Sequence, residues 1–311
     1  MVNPHILLNK NFTRGISTDV HIPLFYNFLK KHPNNLITKL NILCRYILIV
    51  NTIRAEHCSE MRIKMNKIEI CCGSYEDCLA AQKGNANRIE LCSALHLGGL
   101  TPSIGTVKLV KRDVTIPIIC MVRPRGAGFC YTEAEYELMI TDATEMLDAG
   151  ADGLAFGFLN KDGSVNTIRT KSMVELIHSY GKEAVFHCAF DCAKDSHNTI
   201  EILIELGVDR VLTSGLEAKA WDGRNVIKDL QANYGDKIEI LAGSGVNISN
   251  AKALIDDTGI SQVHSSCKSW IEDPTTNVNP GVTYAYASGN LALCYDVVSA
   301  DLVTELVNSI K

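Results

Sequence analysis

From Lys67 onward, short apolar runs of strand length alternate with longer segments that have helix-like spacing of apolar positions. Glycine follows many of the longer segments, as is common where a helix ends. The eight runs are Lys67–Cys72, Arg88–Cys92, Ile116–Val122, Gly153–Phe156, Ala184–Cys188, Arg210–Thr213, Lys237–Ala242 and Gln262–Ser265. The longer segments include Ser74–Gly84, Glu133–Ala149, Thr167–Tyr180, Thr199–Leu206, Ala220–Tyr234 and Ser249–Asp256. The pattern predicts a repeated strand–helix unit.

Eight such units in about 230 residues match the size of a TIM-type (β/α)8 barrel with parallel strands. An open, doubly wound sheet is the alternative. The barrel is favoured because polar residues stand at strand ends throughout the body and not at one switch point only. The Pro-, Thr- and Asn-rich stretch Ser269–Gly289 predicts a long irregular loop, and Ala300–Ile310 predicts a final helix.

The first two candidate strands share the pattern Glu-x-Cys. It occurs as Glu69-Ile70-Cys71 and as Glu90-Leu91-Cys92, with a helix-length segment between the two strands. This order predicts parallel neighbours, and side chains two residues apart point to the same side of a strand. A buried carboxylate is costly unless it is paired or used, so two of them indicate a site. The structural alternative is that both cysteines are small buried apolar residues.

Further chemistry-bearing residues stand at the ends of later strands. An enzyme at this barrel mouth would use Glu69, Glu90, Arg123, His187 and Asp191 for general acid–base chemistry. Gly243, Gly245 and Ser265 make a candidate anion site, because TIM barrels commonly bind phosphate after strand seven. These residues also have structural alternatives. The glycines then form a tight turn, and His187, like His264 on the eighth candidate strand, is a core histidine. The glutamates then form structural ion pairs with Arg123 or Arg88.

Charge and cysteine content narrow the function classes. The net charge is −5, and residues 1–55 hold seven basic side chains against one acid, Asp19, so the body is more acidic still. An acidic body argues against a nucleic-acid partner. The twelve cysteines lie mostly in or beside apolar runs and lack the CxxC spacing of metal fingers, which favours free thiols in a reducing, cytoplasmic compartment.

Residues 1–64 do not fit the strand–helix pattern and are interpreted as an N-terminal extension to a barrel of residues 65–311. The apolar stretch Leu36–Val50 is interrupted by Lys39 and Arg45 and is too short to span a bilayer, so no membrane partner is expected. Its basic, acid-poor character suggests an organellar transit peptide. The alternatives are a dispensable upstream segment and an amphipathic helix packed on the outside.

Several ordered motifs between Lys67 and the C-terminus resemble the copper homeostasis protein CutC family. They are Ile89–Ser93 with Gly98–Ser103, Met121–Gly126, Phe156-Gly157, Phe186-His187 with Ala189–Asp191, and Leu212–Gly215. The resemblance implies a TIM barrel, a homo-oligomer and a role in copper handling through Cu(I). It implies Cys71 and Cys92 as the metal candidates.

The chain departs from that family at positions where the family carries cationic groups. Cys188 stands where the family usually has Arg, and Cys267-Lys268 stand where it usually has Ala-Arg. Arg and Lys are not equivalent in binding oxyanions. We therefore expect weaker binding of a small anion at this barrel mouth than in relatives that keep Arg at the Cys188 position.

Two functions remain open on the sequence. The first is a Cu(I)-binding copper homeostasis protein, because Cu(I) prefers thiolate ligands. With zinc–sulfur bonds of about 2.3 Å as a stand-in, two such bonds span sulfurs up to about 4.6 Å apart. Met121 is a soft third candidate, with a core role as its alternative. The second function is a TIM-barrel enzyme that acts on a small polar or phosphorylated molecule.

Overall fold

Eight parallel strands form a closed barrel in the computed structural model, which describes residues 66–279 and 281–311. The predicted TIM-barrel fold is confirmed. The barrel strands are β1 Lys67–Cys72, β2 Arg88–Leu91, β3 Ile118–Met121, β4 Gly153–Phe156, β5 Glu183–Phe186, β6 Arg210–Thr213, β7 Glu239–Ala242 and β8 Gln262–Ser265. The helices of the described ranges are α1 Tyr75–Lys83, α2 Ile104–Asp113, α3 Glu133–Asp148, α4 Thr167–Ser179, α5 Ser196–Glu205, α6 Arg224–Tyr234, α7 Ala251–Thr258 and α8 Ala300–Ser309.

Closure of the barrel pairs the last strand with the first. In the register of β1 and β8, Lys67 is the partner of Gln262 and Glu69 is the partner of His264. On the other side of β1, Cys71 is the partner of Glu90 on β2. Residues almost 200 positions apart in the chain thus become neighbours inside the barrel.

The two faces of the barrel wall have different surroundings. Outward side chains such as Ile70 and Leu91 join the large apolar core between strands and helices. Cys92 belongs to a smaller inner cluster with Ile119, Met121, Ala155 and Val185, and Cys71 packs against it. Side chains alternate along a strand, so Glu69 and Glu90 also point inward.

Helix starts follow ordinary capping chemistry. Ser74 and Ser103 accept hydrogen bonds from backbone N–H groups three residues ahead, in Asp77 and Thr106. Thr132 and Glu135 form a capping box at the start of α3. These caps satisfy backbone donors that the first helical turn leaves free, and they define where each helix begins.

Some predicted boundaries move by a few residues. The predicted strand Ala184–Cys188 ends at Phe186, because His187 starts a 3₁₀ turn by accepting a hydrogen bond from Ala189 N–H at 3.1 Å. The predicted helix Ala220–Tyr234 begins only at Arg224.

The predicted irregular loop Ser269–Gly289 is wrong at its start. Residues Lys268–Glu272 form strand β9, which pairs antiparallel with β10, Cys294–Val298. The partner strand lies more than twenty residues further along the chain, so the local pattern of apolar residues does not predict this pairing. A buried carboxylate, Asp77, accepts the Val298 N–H at 2.7 Å and so joins this hairpin to α1.

Within residues 66–279 and 281–311, no helix combines the length and the apolar character needed to cross a bilayer. The described residues belong to one compact unit. The expectations for residues 1–64, namely a transit peptide, a dispensable segment or a packed amphipathic helix, lie outside the described residues.

Candidate functional site: a thiol–carboxylate cluster inside the barrel mouth

Three potential metal ligands converge where β1 and β2 end. The Sγ atoms of Cys71 and Cys92 each lie 3.5 Å from the same oxygen, Oε2 of Glu90. The three ligand atoms lie within 4.8 Å of one another. The parallel register places Cys71 beside Glu90, and Cys92 follows two residues later on the same inward face.

His264 connects this cluster to the deeper layer of the barrel. Its Nε2 is 3.8 Å from Glu90 Oε2, and its Nδ1 is 2.9 Å from Glu69 Oε1. Glu69 also accepts a hydrogen bond from Nε of Arg88, whose Nη2 donates to Gln262 at 3.0 Å. Both carboxylates are therefore held inside the barrel, but only Glu90 contacts the thiols.

The proton distribution in the cluster follows from these contacts. The hydrogen bond with Cys92 is the largest cause that lowers the pKa of Cys71 to about 5; burial opposes it, and His264 supports it. Burial raises the pKa of Glu90 to about 8, against the attraction of His264, and the negative charge of Cys71 raises it further. At neutral pH the proton thus belongs on Glu90 and the negative charge on Cys71.

The neighbouring groups complete this charge pattern. Burial opposes ionisation of Glu69, but Arg88 and His264 hold the pKa of its carboxyl group well below the usual range. Burial also disfavours a charged His264, yet its hydrogen bonds with Cys71 and Glu69 hold its pKa well above the usual range. The hydrogen bond with Cys71, followed by burial, raises the pKa of Cys92. One thiolate and one thiol share the site.

A small cavity leads to Cys71 from the C-terminal hairpin. Its volume is about 10 Å³, whereas small-molecule sites typically measure roughly 300–1,000 Å³. The lining residues are Cys71, Asp77, Leu95, Ser266, Lys268, Asp296, Val297 and Val298. The space suits an ion better than a metabolite.

Arg123 positions a loop beside the thiols. Its guanidinium donates to the backbone carbonyls of Leu97, Gly98 and Gly99 at 2.9–3.1 Å, and to that of Ala127 at 2.7 Å. Gly99, at a φ of +82°, lies so close to Cys92 that an added Cβ would be 3.0 Å from the sulfur. Arg123 therefore acts on the backbone and makes no hydrogen bond to either glutamate.

His187 and Asp191 also have partners other than the cluster. Nδ1 of the fully buried His187 accepts from Ala189 N–H, and burial, aided by Arg123, lowers the pKa of His187 to about 3. Asp191 accepts from Thr213 Oγ1 at 2.5 Å and from Ser214 N–H at 2.9 Å, which holds the loop after β6. The enzyme candidates are therefore spread over separate networks, and their catalytic role stays a prediction.

The candidate anion residues form a turn after β7. Gly245 has a φ of +73°, and the Lys219 side chain lies over it. The hydroxyl of Ser265 donates to the Val246 carbonyl at 2.7 Å. Lys268 forms an ion pair with Asp296 at 2.5 Å. The anion site at Gly243, Gly245 and Ser265 stays a prediction.

Comparison with known proteins identifies the family. The CutC family model matches residues 66–269. The chain belongs to the CutC family. A CutC of Treponema denticola is 42% identical over 248 residues, which cover 80% of this chain and 100% of that protein. A CutC of Vibrio vulnificus is 41% identical over 65% of this chain and 81% of its own length.

A solved structure from the CutC family agrees with the fold. CutC from Streptococcus agalactiae, which is named for copper homeostasis, is 30% identical and superposes with a TM-score of 0.61. The match covers 65% of this chain and 99% of that one. The range matched by the CutC model contains Cys71, Glu90, Cys92 and His264, whereas β10 and α8 lie beyond it.

Sequence reasoning placed His264 of this CutC chain at a strand end but did not assign it to the site. Its only sequence signal is its position, the third residue of strand eight, opposite the third residue of strand one. This position brings His264 next to Glu69 only because the barrel closes and β8 pairs with β1.

Proposed function

We propose that the protein is a copper homeostasis protein that binds one Cu(I) ion through Cys71 and Cys92. The observation that supports this proposal most directly is the convergence of both thiols on one carboxylate oxygen, at 3.5 Å each. Cu(I) is a soft ion and prefers thiolate ligands, so the donor set fits it. The name of the Streptococcus agalactiae relative points to the same metal.

The electrostatics of the site favour metal uptake. Cys71 has a pKa of about 5, so it offers a thiolate at neutral pH without prior loss of a proton. Cys92, whose pKa is raised, must release its proton when the metal binds. Glu90, with a pKa of about 8, lies in contact with both sulfurs and already carries a proton at neutral pH, so the proton of Cys92 leaves to solvent.

The dimensions of the cavity favour an ion over an organic substrate. Cys71 is partly exposed to it, while Cys92 is buried behind the loop that contains Gly99. A bound ion would thus be screened from bulk water and from oxidants. The enzyme alternative would need a larger opening at the hairpin formed by β9 and β10.

The test is an anaerobic competition titration with a Cu(I) chelator on the wild type, Cys71→Ser and Cys92→Ser. Each variant should lose at least 100-fold in Cu(I) affinity, because one thiolate cannot replace a pair. Cys130→Ser, which removes an exposed thiol, is the matched control and should bind as the wild type does. Wild-type affinity in either site variant would refute the two-cysteine site.

A further inference from the structure

We propose that His264 Nε2 joins Cys71, Glu90 and Cys92 in a four-donor centre that accepts a tetrahedral divalent ion of the Zn²⁺ class as well as Cu(I). This inference rests on the two-cysteine site proposed above and extends it to a second class of metal. It assigns a ligand role to His264 on β8, the strand that closes the barrel by pairing with β1, and His264 contacts the cluster through Glu90.

The distances from Glu90 Oε2 match those of a tetrahedral site, whereas His264 Nε2 reaches the cluster through Glu90 and lies outside the group of three donors that are all within 4.8 Å of one another. With metal–sulfur bonds of about 2.3 Å and metal–nitrogen or metal–oxygen bonds of about 2.0–2.1 Å, neighbouring ligand atoms lie roughly 3.3–3.8 Å apart. Glu90 Oε2 is 3.5 Å from each sulfur and 3.8 Å from His264 Nε2. Glu90 thus stands at ligand-to-ligand distance from three other donors of the types that zinc prefers.

The orientation of His264 is the one that metal-binding histidines usually have. Its Nδ1 contacts the Glu69 carboxylate at 2.9 Å, and Glu69 is in turn held by Arg88. A ligating histidine almost always donates its second ring N–H to such an acceptor and binds the metal with the other nitrogen. Because the pKa of His264 is raised, the metal must displace a proton from that nitrogen. Here that other nitrogen, Nε2, faces Glu90 and the thiols.

The backbone on the next strand leaves space for this ring. Gly243 follows β7, and a Cβ added there would lie 3.4 Å from Cβ and 3.5 Å from Cδ2 of His264, and 2.7 Å from Leu212. The ring is packed on one side by Gly243 and tied at Nδ1 by Glu69, and its side chain is only 12% exposed. His264 is therefore fixed before any ion arrives.

The donor set separates two kinds of metal. Cu(I) is satisfied by thiolates, whereas Zn²⁺ takes sulfur, imidazole nitrogen and carboxylate oxygen in a four-coordinate site. His264 and Glu90 should therefore contribute little to Cu(I) affinity and much to Zn²⁺ affinity. Glu69 is a positioning residue, since it acts through His264.

The experiment is a pair of chelator competitions, one with Zn²⁺ and one with anaerobic Cu(I), on the full chain. The wild type should bind one Zn²⁺. His264→Ala should lose about 100-fold in Zn²⁺ affinity and less than about threefold in Cu(I) affinity. Glu69→Gln should lose roughly 10- to 100-fold for Zn²⁺, the usual effect of removing such a supporting acceptor. His197→Ala, a change at an exposed histidine, is the control and should alter neither.

Co²⁺ supplies an independent readout of geometry. The wild type loaded with Co²⁺ should show intense tetrahedral ligand-field bands together with sulfur-to-cobalt charge transfer. His264→Ala should change the ligand-field bands and keep the charge transfer. His264→Gln, which keeps the side-chain volume and a donor for Glu69, serves if the alanine variant does not fold.

The outcomes separate this inference from the copper proposal. Two results would overturn the four-donor centre and leave the copper proposal standing. One is tight Cu(I) binding without Zn²⁺ binding, and the other is Zn²⁺ binding with Co²⁺ spectra that do not change in His264→Ala. Zn²⁺ binding that depends on His264, without Cu(I) binding, would support the centre and overturn the copper function. Loss of Zn²⁺ and retention of Cu(I) in His264→Ala supports both.

Discussion

At the scale of single residues, a shared proton governs the site. Cys71, Glu90 and His264 lie close enough that the charge of each changes the pKa of the others. Burial keeps the proton on the carboxyl group of Glu90, while hydrogen bonds with Cys92 and His264 keep the charge on the Cys71 sulfur against the effect of burial. This order is the reverse of the one found in water. A carboxyl group in this setting disfavours its own ionisation while it supports that of its neighbour.

Among the cysteines that the structure describes, Cys71 should therefore react with an alkylating agent at the lowest pH. With its pKa lowered to about 5, alkylation by iodoacetamide in metal-free protein should already be fast near pH 6, where ordinary thiols near pKa 8.5 react slowly. Peptide mass spectrometry across pH 4–9 measures the rate at Cys71. The midpoint should rise in Cys92→Ala, because the hydrogen bond with Cys92 is the largest cause of the shift. A wild-type midpoint near pH 8.5 would contradict this.

Glu90 should make the stability of the folded protein depend on pH. Its pKa is raised from 4.5 to about 8, so the folded state keeps a proton that the unfolded state loses above about pH 4.5. This contribution is fully present below pH 4.5 and is lost as the pH rises through 8. In metal-free protein, Glu90→Gln should therefore gain stability relative to the wild type between pH 5 and pH 8, by about 2 kcal/mol or more.

Urea unfolding at the two pH values, in the presence of a chelator, measures this difference. Glu137→Gln, at an exposed position on α3, is the matched control and should show the same difference at both pH values. An equal difference for Glu90→Gln at pH 5 and pH 8 would argue against a protonated Glu90 in the folded protein.

At the scale of elements, the C-terminal hairpin forms a wall of the site. Lys268 on β9 and Asp296 on β10 pair across the hairpin and line the cavity that reaches Cys71. The hairpin is tied to α1 through Asp77, whose two carboxylate oxygens accept from Gly73 N–H at 3.0 Å and Val298 N–H at 2.7 Å. Helix α1 thereby fixes the position of the β9–β10 hairpin beside the cavity.

Asp77→Ala should loosen this attachment. The buried N–H of Val298 and the partly buried N–H of Gly73 would lose their acceptor, which costs about 2–4 kcal/mol in the free energy of unfolding. Hydrogen exchange at the Val298 amide should accelerate more than exchange within β4, because the hairpin is affected first. Asp273→Ala, which removes a carboxylate that accepts from Thr275 N–H in an exposed turn, should cost less than about 1 kcal/mol. Uniform acceleration of exchange in both regions would count against a local role for Asp77.

At the scale of the whole molecule, the barrel interior carries charge along its length. Arg210 is almost fully buried, and its Nη2 pairs with Glu183 at 2.9 Å and Glu239 at 2.7 Å at the amino-terminal ends of the strands. Arg88 and Glu69 lie above this group, and the thiols lie at the opposite end. The site is thus the outer layer of a polar column, held in place by pairs beneath it.

Residues 65–311 should fold and bind metal without the first 64 residues. Every strand of the closed barrel starts at or after Lys67, and the thiol–carboxylate cluster lies wholly within the barrel. The truncated chain should show one cooperative thermal transition by circular dichroism and wild-type Cu(I) affinity. Loss of the transition would show that the extension is part of the fold.

The sequence by itself determined the strand–helix alternation, the number of strands, and the shared side of Glu69 with Cys71 and of Glu90 with Cys92. These features depend on local periodicity, in which alternation along a strand sets the face of each side chain. The family resemblance could be recognised because it is carried by short ordered motifs, which are local in the sequence. The beginning of β9 escaped prediction because its partner strand is remote in the chain.

Only the tertiary structure decided which polar groups meet. Closure of the barrel places His264 beside Glu69 and Glu90, and it leaves Arg123, His187 and Asp191 bonded to the backbone and to their own loops. The burial that keeps the proton on Glu90, and the hydrogen bonds that keep the charge on Cys71, likewise depend on how all eight strands pack. Distances between remote residues and desolvation are properties of the assembled barrel, and no local pattern encodes them.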